Sequence, residues 1–366
     1  MRKNYLLMTF VAVVLGVTIL DVVTADKSFS EVENRKLSEK VEFSVEGFLD
    51  GSFQKDYETY VNDQFIQRDL WIDIKSRGEF ALGKIENNGI IYGEDDFLFD
   101  KFTKVDEGRV KANTDAINIF AEKHKGKVSL MLIPNSYEIY NEKLPTGSPV
   151  INQEEAINNI YNSIKNVKEI RVYDELEENK DEYIYYRTDH HWTTKGAYIA
   201  YEKYMKSIDE ISVPIEENDQ IILDDFYGTY FSKAKPFNIS GDSLTYYEMD
   251  NRTMQIGDKT FKTLYDLSKA DIRDKYSLFL NGNNGLTVIE NNNLDNNKKI
   301  LVVKDSFANS FIPFLTENFE EIHVIDLRHY QQNFNDYVDN NNFDEILALY
   351  NYQNFATDVN LLKFKY

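Results

Sequence analysis

Two of the five histidines in this chain are adjacent, and an aspartate directly precedes them. The segment Asp189-His190-His191 lies just before Thr193, where a helix is predicted to begin. With this Asp-x-His spacing, the carboxylate of Asp189 can fix the tautomer of the His191 imidazole and stabilise its protonated form. An imidazole held in this way can act as a general base. The alternative is that the segment only caps the helix, with both histidines at the surface.

A serine in a second segment could use such a base. Ile300-Leu301-Val302-Val303 predicts a buried strand, and Lys304-Asp305-Ser306 follows it at the start of a predicted helix. At the carboxyl edge of a parallel sheet, backbone N–H groups at the helix start would stabilise an oxyanion that forms beside Ser306. Together the two segments predict nucleophilic catalysis by serine, whereas Ser306 taken alone would be only a helix cap.

Another serine lies in a string known from lipases, Gly241-Asp242-Ser243-Leu244. The residues before it, 235–240, do not form an apolar strand, and no clear helix start follows it. Because a motif has meaning only in its structural context, we reject Ser243 as the nucleophile in favour of Ser306.

Alternating strands and helices are predicted to position these residues. Such alternation is typical of βαβ units and of a mostly parallel sheet covered on both faces. We predict a three-layer α/β domain over residues 85–366, with an insertion of loops and short strands at about 210–298. The elements predicted most clearly are helices at 108–125, 153–168 and 194–206, strands at 128–134, 170–173, 300–303, 321–326 and 343–349, and a helix after Ser306.

The N-terminus has the pattern of an export signal. Two basic residues precede an apolar run from Tyr5 to Leu20, and Val23-Thr24-Ala25 offers small residues for cleavage. An uncleaved membrane anchor is the alternative. We predict that residues 1–25 are a signal peptide or anchor and that 26–84 form a polar tether with short helices. The protein is then exported, either secreted or at the extracellular face of the cytoplasmic membrane.

The composition excludes several kinds of function. The formal net charge of −21 repels nucleic acid, and membrane contact is expected through the N-terminal segment only. Without cysteine, the chain has no thiol nucleophile, disulfide or thiolate metal site. A metal centre built on residues 189–191 is the alternative to a catalytic triad. Since the three other histidines lack ligand spacing, we predict no metal and no cofactor.

The string Asp189-His190-His191-Trp192 resembles the defining motif of the DHHW family of bacterial exported proteins. That family is related to the alginate O-acetyltransferases and, through them, to SGNH hydrolases. The resemblance covers nearly the whole chain and implies an SGNH-like fold. Further segments that resemble blocks of the family are Glu33-Asn34-Arg35-Lys36-Leu37, Asp63-Gln64-Phe65, Arg68-Asp69, Gly228-Thr229, Phe279-Leu280-Asn281-Gly282-Asn283, Lys304-Asp305-Ser306-Phe307 and Asp326-Leu327-Arg328.

The resemblance implies a role for each residue of the triad. Ser306 is the nucleophile, His191 the base and Asp189 the residue that orients it. Along the chain this order is Asp, His, Ser, which looks like a circular permutation of the order in SGNH enzymes. His190 lies between the pair and is either structural or faces the substrate. Lys304 departs from the pattern, because related enzymes often have glycine there.

The resemblance also names candidates for binding the oxyanion and the substrate. Gly282 and Asn283 match positions that SGNH enzymes use for the oxyanion, although Asn283 could equally be an ordinary loop residue. Arg328 could hold a substrate oxygen or form an ion pair with Asp326. Trp192 could stack on a sugar ring, or it could pack behind the His191 loop.

The implied activity is transfer of an acyl group, most simply acetyl, to an extracellular polysaccharide. A polysaccharide acetylesterase with the same triad and a non-catalytic scaffold of an export complex are the alternatives. An active site outside the cytoplasm cannot use cytoplasmic acetyl-coenzyme A directly. Transfer would therefore require a partner membrane protein that passes the acyl group outward.

Overall fold

The computed structural model describes residues 2–30, 33, 35–215 and 220–365. Asn34, in the first segment that resembles the family, lies outside these residues. The chain divides into two compact units. The first comprises Met1–Asn87 and Ser232–Ile239, and the second comprises Asn88–Phe231 and Ser240–Tyr366.

Helices dominate the first unit. Within the N-terminal helix, Asn4–Val23 is long and apolar enough to cross a membrane. In the segment predicted as a tether, Asp63 accepts hydrogen bonds from both terminal nitrogens of Arg35, at 2.5 and 2.9 Å, and from the backbone N–H of Ser38. The elements of this unit are α1 (Arg2–Val23), β1 (Phe29–Ser30), β2 (Arg35–Lys36), α2 (Val45–Asp50), α3 (Ser52–Gln64), α4 (Arg68–Ala81) and β3 (Glu86–Asn87).

The second unit alternates strands and helices. Its first part contains β4 (Ile90–Tyr92), β5 (Leu98–Asp100), α5 (Glu107–Lys123), β6 (Val128–Ile133), α6 (Ser136–Ile139), α7 (Gln153–Tyr161), β7 (Lys168–Ile170), α8 (Tyr173–Glu178), α9 (Thr194–Ser207) and β8 (Gln220–Phe226). There follow α10 (Thr229–Ala234, which ends in the first unit), β9 (Asp242–Tyr247), β10 (Arg252–Ile256), β11 (Lys259–Phe261), β12 (Leu286–Asn291), β13 (Lys299–Lys304), α11 (Ile312–Leu315), β14 (Glu321–Ile325), α12 (Phe334–Asp339), β15 (Glu345–Asn351) and α13 (Tyr352–Thr357).

An eight-stranded sheet forms the core of the second unit, in the order β11-β10-β12-β14-β13-β15-β6-β7. The strands from β14 to β7 are parallel, and β12, β10 and β11 continue the sheet as antiparallel strands. This confirms the predicted mostly parallel α/β sheet. In β13, Val302 lies opposite Val324 of β14 on one side and Leu347 of β15 on the other.

The central strands are apolar because helices cover both faces of a parallel sheet. All six residues of β6 are buried, and so are the last five of β13. Against this core, α5 buries Ala116, Ile117, Phe120 and Ala121, which recur at helical spacing. The carboxyl ends of β13 and β15 therefore lie side by side at one edge of a rigid sheet.

The structure differs from the predicted elements in three places. Helix α7, predicted at 153–168, ends at Tyr161, and the strand predicted at 170–173 spans Lys168–Ile170. The segment after Ser306 is a 3₁₀ turn, Ser306–Ser310, followed by the short α11. In the stretch predicted as an insertion, β10, β11 and β12 join the main sheet. Alternating burial in β12 gives no continuous apolar run, which is why its sequence did not predict a core strand.

Candidate active site

Ser306 lies directly beyond the carboxyl end of β13, at the start of the 3₁₀ turn. Asp305 fixes this junction, because its carboxylate accepts hydrogen bonds from the backbone N–H groups of Phe307 (2.9 Å) and Asn351 (2.8 Å) and from the side chain of Asn354 (2.7 Å). The Asp305 carboxylate thus links the end of β13 to the end of the neighbouring β15. Ser306 is half-buried at this end of the sheet.

The loop that carries His191 lies between an isolated bridge and a helix cap. Tyr185 and Trp192 pair in an antiparallel bridge, and the Thr193 hydroxyl accepts from the backbone N–H of Gly196 at the start of α9. Trp192 is fully buried, and its indole N–H donates to the Phe307 carbonyl at 2.9 Å. Its ring packs behind the His191 loop, which is the second of the two alternatives predicted for Trp192. Because the ring is fully buried, it presents no face on which a sugar could stack.

The side chains of Asp189, His191 and Ser306 form a continuous hydrogen-bonded series. His191 Nδ1 lies 2.6 Å from Asp189 Oδ1, and His191 Nε2 lies 2.8 Å from Ser306 Oγ. An ionised carboxylate can only accept, so Nδ1 carries the imidazole proton. Nε2 is then the acceptor for the Ser306 hydroxyl, which is the orientation that a general base needs.

Burial and neighbouring charges set the protonation of the pair. Burial, together with the charge of His190, lowers the pKa of His191 to about 3, although Asp189 raises it. Burial raises the pKa of Asp189, but the charges and hydrogen bonds of the two histidines lower it, and the net pKa lies well below the usual range. At neutral pH the site therefore contains a neutral imidazole and an ionised carboxylate.

Thr229 and Gly228 complete the surroundings of Asp189, and the sequence identified them only through the family resemblance. Asp189 Oδ2 accepts from the backbone N–H of Thr229 at 2.8 Å and from its hydroxyl at 3.1 Å. The Thr229 hydroxyl also contacts His190 Nδ1 at 2.6 Å. A Cβ on Gly228 would lie 2.2 Å from the Cβ of Asp189, so only glycine fits there.

Tyr276 is a residue of the site that sequence reasoning missed. Its ring stacks on His191, with centroids 3.6 Å apart and planes at 8°. Its hydroxyl donates to the Ser306 carbonyl at 3.0 Å and lies 3.1 Å from Ser310 Oγ. Tyr276 lies in an irregular stretch without a motif or periodicity, so no signal in the sequence pointed to it.

The predicted oxyanion candidate Asn283 contacts a buried lysine. Lys304 Nζ donates to Asn283 Oδ1 at 2.6 Å and to Asn309 Oδ1 at 2.7 Å. Asn309 Nδ2 also donates to Asn283 Oδ1, at 3.2 Å. Asn283 itself is exposed, and the neighbouring Gly282 has a left-handed φ of 82°. The structure thus connects Asn283 to both ends of the segment that contains Ser306.

Arg328 forms the ion pair that was the alternative to substrate binding. Its Nη2 and Nε donate to the two carboxylate oxygens of Asp326, at 2.6 and 2.9 Å. The side chain remains about one-third exposed (33%) while its Nε and Nη2 bind Asp326, so contact with substrate stays a prediction.

Ser243 lies outside this constellation. It is exposed on β9, and its hydroxyl donates to the Asp224 carboxylate at 2.7 Å. No basic imidazole is hydrogen-bonded to Ser243 in the part of the chain that the structure describes.

Asp189, His190 and His191 are also close enough together to hold a metal ion, since ligand atoms of all three lie within 4.8 Å of one another. Several of these atoms already have protein partners. Both Asp189 oxygens accept from His191 or Thr229, and both ring nitrogens of His191 are hydrogen-bonded. The donor set favours the series that ends at Ser306 over a metal centre.

The fold is a mixed α/β fold around a mostly parallel sheet, and Asp189, His191 and Ser306 are hydrogen-bonded in series just beyond the carboxyl end of β13. The chain belongs to the DHHW family, since the family model described as DHHW protein matches residues 86–325. This confirms the resemblance seen in the segment Asp189-His190-His191-Trp192.

Solved structures of similar proteins share this fold. A DHHW family protein from Eubacterium siraeum DSM 15702 is 26% identical, with a TM-score of 0.65, over 77% of this chain and 96% of that chain. Bacillus cereus PatB1 with a sulfonyl adduct is 24% identical, with a TM-score of 0.63, over 76% and 98% of the two chains. A second PatB1 structure gives 23% identity and a TM-score of 0.62 over 75% and 99%. No curated protein sequence matches this chain.

Proposed function

We propose that the protein is an exported serine acyltransferase that moves an acyl group, most simply acetyl, onto a polysaccharide of the cell surface. The observation that carries this proposal is the hydrogen-bonded series from Asp189 through His191 to Ser306 at the carboxyl edge of a parallel sheet. Such a series supports covalent catalysis by serine, because a neutral imidazole accepts the hydroxyl proton as the oxygen attacks.

Acylation is the first half of the reaction. His191 Nε2 takes the proton of Ser306 while Oγ attacks the carbonyl carbon of the donor and forms a tetrahedral oxyanion. The oxyanion collapses, the bond to the leaving group breaks, and the imidazolium returns its proton to that group. Asp189, ionised and hydrogen-bonded to Nδ1, stabilises the imidazolium while it exists.

The second half transfers the acyl group. A sugar hydroxyl gives its proton to His191 and attacks the acyl carbonyl, and Ser306 leaves and regains the proton. Candidate oxyanion donors are the backbone N–H of Ser306 and the side-chain amide of Asn283. If water takes the place of the sugar, the same steps hydrolyse an ester, and the protein is then an esterase.

The N-terminal helix supports a site at the outer face of the cytoplasmic membrane. The N-terminal helix is suited to export or anchoring, so the site would lie outside the cytoplasm. A transferase in that position needs a donor carried across the membrane, which we assign to a partner membrane protein that delivers the acyl group.

The direct test uses the full chain in detergent with 4-nitrophenyl acetate and with phenylmethylsulfonyl fluoride. The parent should release nitrophenol and should carry a single sulfonyl group on the peptide that contains Ser306. Ser306→Ala should lose both, whereas the control Ser243→Ala should behave as the parent. Equal turnover by Ser306→Ala and the parent would remove the enzymatic proposal and leave a non-catalytic scaffold.

A second experiment separates transfer from hydrolysis in the cell. The gene is deleted, and acetate is measured on the surface polysaccharide. A fall in polymer acetate identifies a transferase, and a rise identifies an esterase. Complementation with Ser306→Ala should fail to restore the parental acetate content in either case.

A further inference from the structure

Lys304 is a buried lysine beside the candidate site that the proposed mechanism does not use. It is the last residue of β13, and its side chain is 1% exposed. A buried amine is unfavourable unless acceptors surround it. Here the acceptors are the Oδ1 atoms of Asn283 and Asn309, at 2.6 and 2.7 Å, with the Asp326 carboxylate at 3.8 Å.

The ammonium determines how both amides are turned. Because an ammonium donates and cannot accept, each amide must present its oxygen to Nζ. Asn309 Nδ2 then donates to Asn283 Oδ1 at 3.2 Å, so that this oxygen receives two hydrogen bonds. The Nδ2 group of Asn283 is therefore directed away from Lys304, and it has no protein partner among the described residues.

The backbone before Asn283 is held in an uncommon conformation. Leu280, Asn281 and Gly282 all have left-handed φ values, of 55°, 53° and 82°. This backbone conformation is unfavourable for leucine, and it is kept only where the surrounding contacts hold it in place. The backbone N–H of Leu280 donates to the Leu264 carbonyl at 2.8 Å, and that of Gly282 donates to the Phe279 carbonyl at 2.9 Å. The loop thus fixes the backbone of Asn283, and Lys304 fixes its side chain.

We propose that Lys304 is a positioning residue, which holds the Asn283 amide so that its N–H₂ group faces the oxyanion formed at Ser306. This inference rests on the proposed function, because it assigns the second oxyanion donor and its support. Lys304 transfers no proton and forms no bond to the substrate. A charge-assisted hydrogen bond to the amide oxygen also polarises the amide, which strengthens the N–H donor on its other end.

A double-mutant cycle on the full chain in detergent tests the coupling between the two residues. The rate of Ser306 acylation by an acetyl ester is measured for the parent, Asn283→Ala, Lys304→Met and the double variant. We expect losses of about 100-fold for Asn283→Ala and about 10-fold for Lys304→Met. The double variant should be no slower than Asn283→Ala, because Lys304 acts only through Asn283. Multiplying losses would overturn the proposal.

Asn283→Asp is a matched variant at an exposed position. It keeps an oxygen for Lys304 but replaces the outward N–H₂ with a second oxygen. Its kcat for acylation should fall as far as that of Asn283→Ala, with KM little changed, and its thermal unfolding midpoint should stay near that of the parent. A kcat equal to the parent value would contradict the donor role of Asn283.

The pH dependence of the parent tests Lys304 without changing it. Burial lowers the pKa of Lys304 to about 8, Asp326 and Asp305 raise it, and Arg328 lowers it. The parent acylation rate should therefore fall above pH 8, and Asn283→Ala should lack that fall. An identical alkaline fall in both proteins would remove the role of Lys304, even if Lys304→Met did not fold. Failure of Ser306→Ala to abolish acylation would instead remove the proposed function.

Discussion

The candidate site has two sides that are held by different kinds of contact. On the base side, Asp189 and His191 are positioned by hydrogen bonds to Thr229 and by the stacked ring of Tyr276. On the donor side, the exposed Asn283 is positioned by a buried ammonium. Asp189 stays ionised and His191 stays neutral over a wide pH range, because the pKa of each lies well below neutral, whereas Lys304 holds the amide fully only while it is protonated. The base side should therefore respond to changes of shape, and the donor side to changes of charge.

The largest expected effect breaks the base side altogether. His191→Ala removes the acceptor for the Ser306 proton, and the rate of acylation should fall about 10⁶-fold, as when one member of an interdependent triad is lost. His124→Gln is a matched control, since His124 lies at the end of α5 and has no contact with Ser306. Stopped-flow measurement of nitrophenol release from 4-nitrophenyl acetate gives both rates. A residual rate within 100-fold of the parent would mean that another group serves as the base.

The second effect tests how closely the base side is packed. In Gly228→Ala the new Cβ would overlap Asp189, so the carboxylate must move away from His191 Nδ1. We expect a loss of about 100-fold in acylation, because a displacement near 1 Å has effects of that size. We also expect a destabilisation of about 1–3 kcal/mol from overpacking. Both are measurable, by kinetics and by urea unfolding.

Gly78→Ala provides the control for this substitution. Gly78 is a helical glycine at which an added Cβ meets nothing within 4 Å. Its replacement should leave acylation unchanged and stabilise α4 by up to about 1 kcal/mol. Normal acylation by Gly228→Ala would show that Asp189 tolerates the shift and that the base side is less tightly fitted than its contacts indicate.

The third effect removes the Thr229 hydroxyl, which contacts both Asp189 and His190, from the base side. Thr229→Val deletes the hydroxyl that donates to Asp189 Oδ2 but leaves the backbone N–H in place. Since a hydrogen bond to a charged group contributes about 1.5–3 kcal/mol, acylation should fall about 10-fold or somewhat more. Thr229→Ser should restore the parental rate. A Thr229→Val rate equal to that of the parent would mean that the backbone N–H of Thr229 positions Asp189 without the hydroxyl.

The sequence indicated one side of the site much better than the other. Asp189, His191 and Ser306 could be named because their local context, a helix start and the end of an apolar strand, is readable over a few residues. The same context separated Ser306 from Ser243, which has the better-known string. Short-range patterns of this kind also predicted the parallel core strands.

The remaining contacts depend on the tertiary structure and could not be predicted. Tyr276 contacts His191 from an irregular segment. Because the chain contains 25 tyrosines, the presence of a tyrosine at this position gives no signal by itself. In the sequence, Lys304 stood out only because related enzymes often have glycine at this position. No residue pattern near it indicates that its ammonium donates to Asn283 and Asn309. Short strands were predicted within 210–298, but not that those of 252–291 join the main sheet, because antiparallel strands at the side of a sheet need no long apolar run.

The smallest expected effect concerns pH and contrasts the two sides directly. With a pKa of about 3, lowered chiefly by burial, His191 stays unprotonated in the folded protein down to acidic pH. The acid limb of kcat/KM should thus lie well below pH 6.5, the usual pKa of histidine. Stability follows the same linkage. Below pH 6.5 the unfolded chain takes up a proton on this residue and the folded chain does not. The stability that the neutral His191 contributes to the fold is therefore fully present above pH 6.5 and is lost as the pH falls toward 3.

Urea unfolding of the parent and of His191→Gln at pH 7 and pH 5 measures this contribution. The parent should lose more stability between the two pH values than the variant does, since the variant has no group at this position to titrate. Equal losses, or an acid limb of kcat/KM near 6.5, would mean that the imidazole is less isolated from water than its burial among Asp189, Tyr276 and Phe307 requires. The base side would then share with the donor side a dependence on charge, and the contrast between them would disappear.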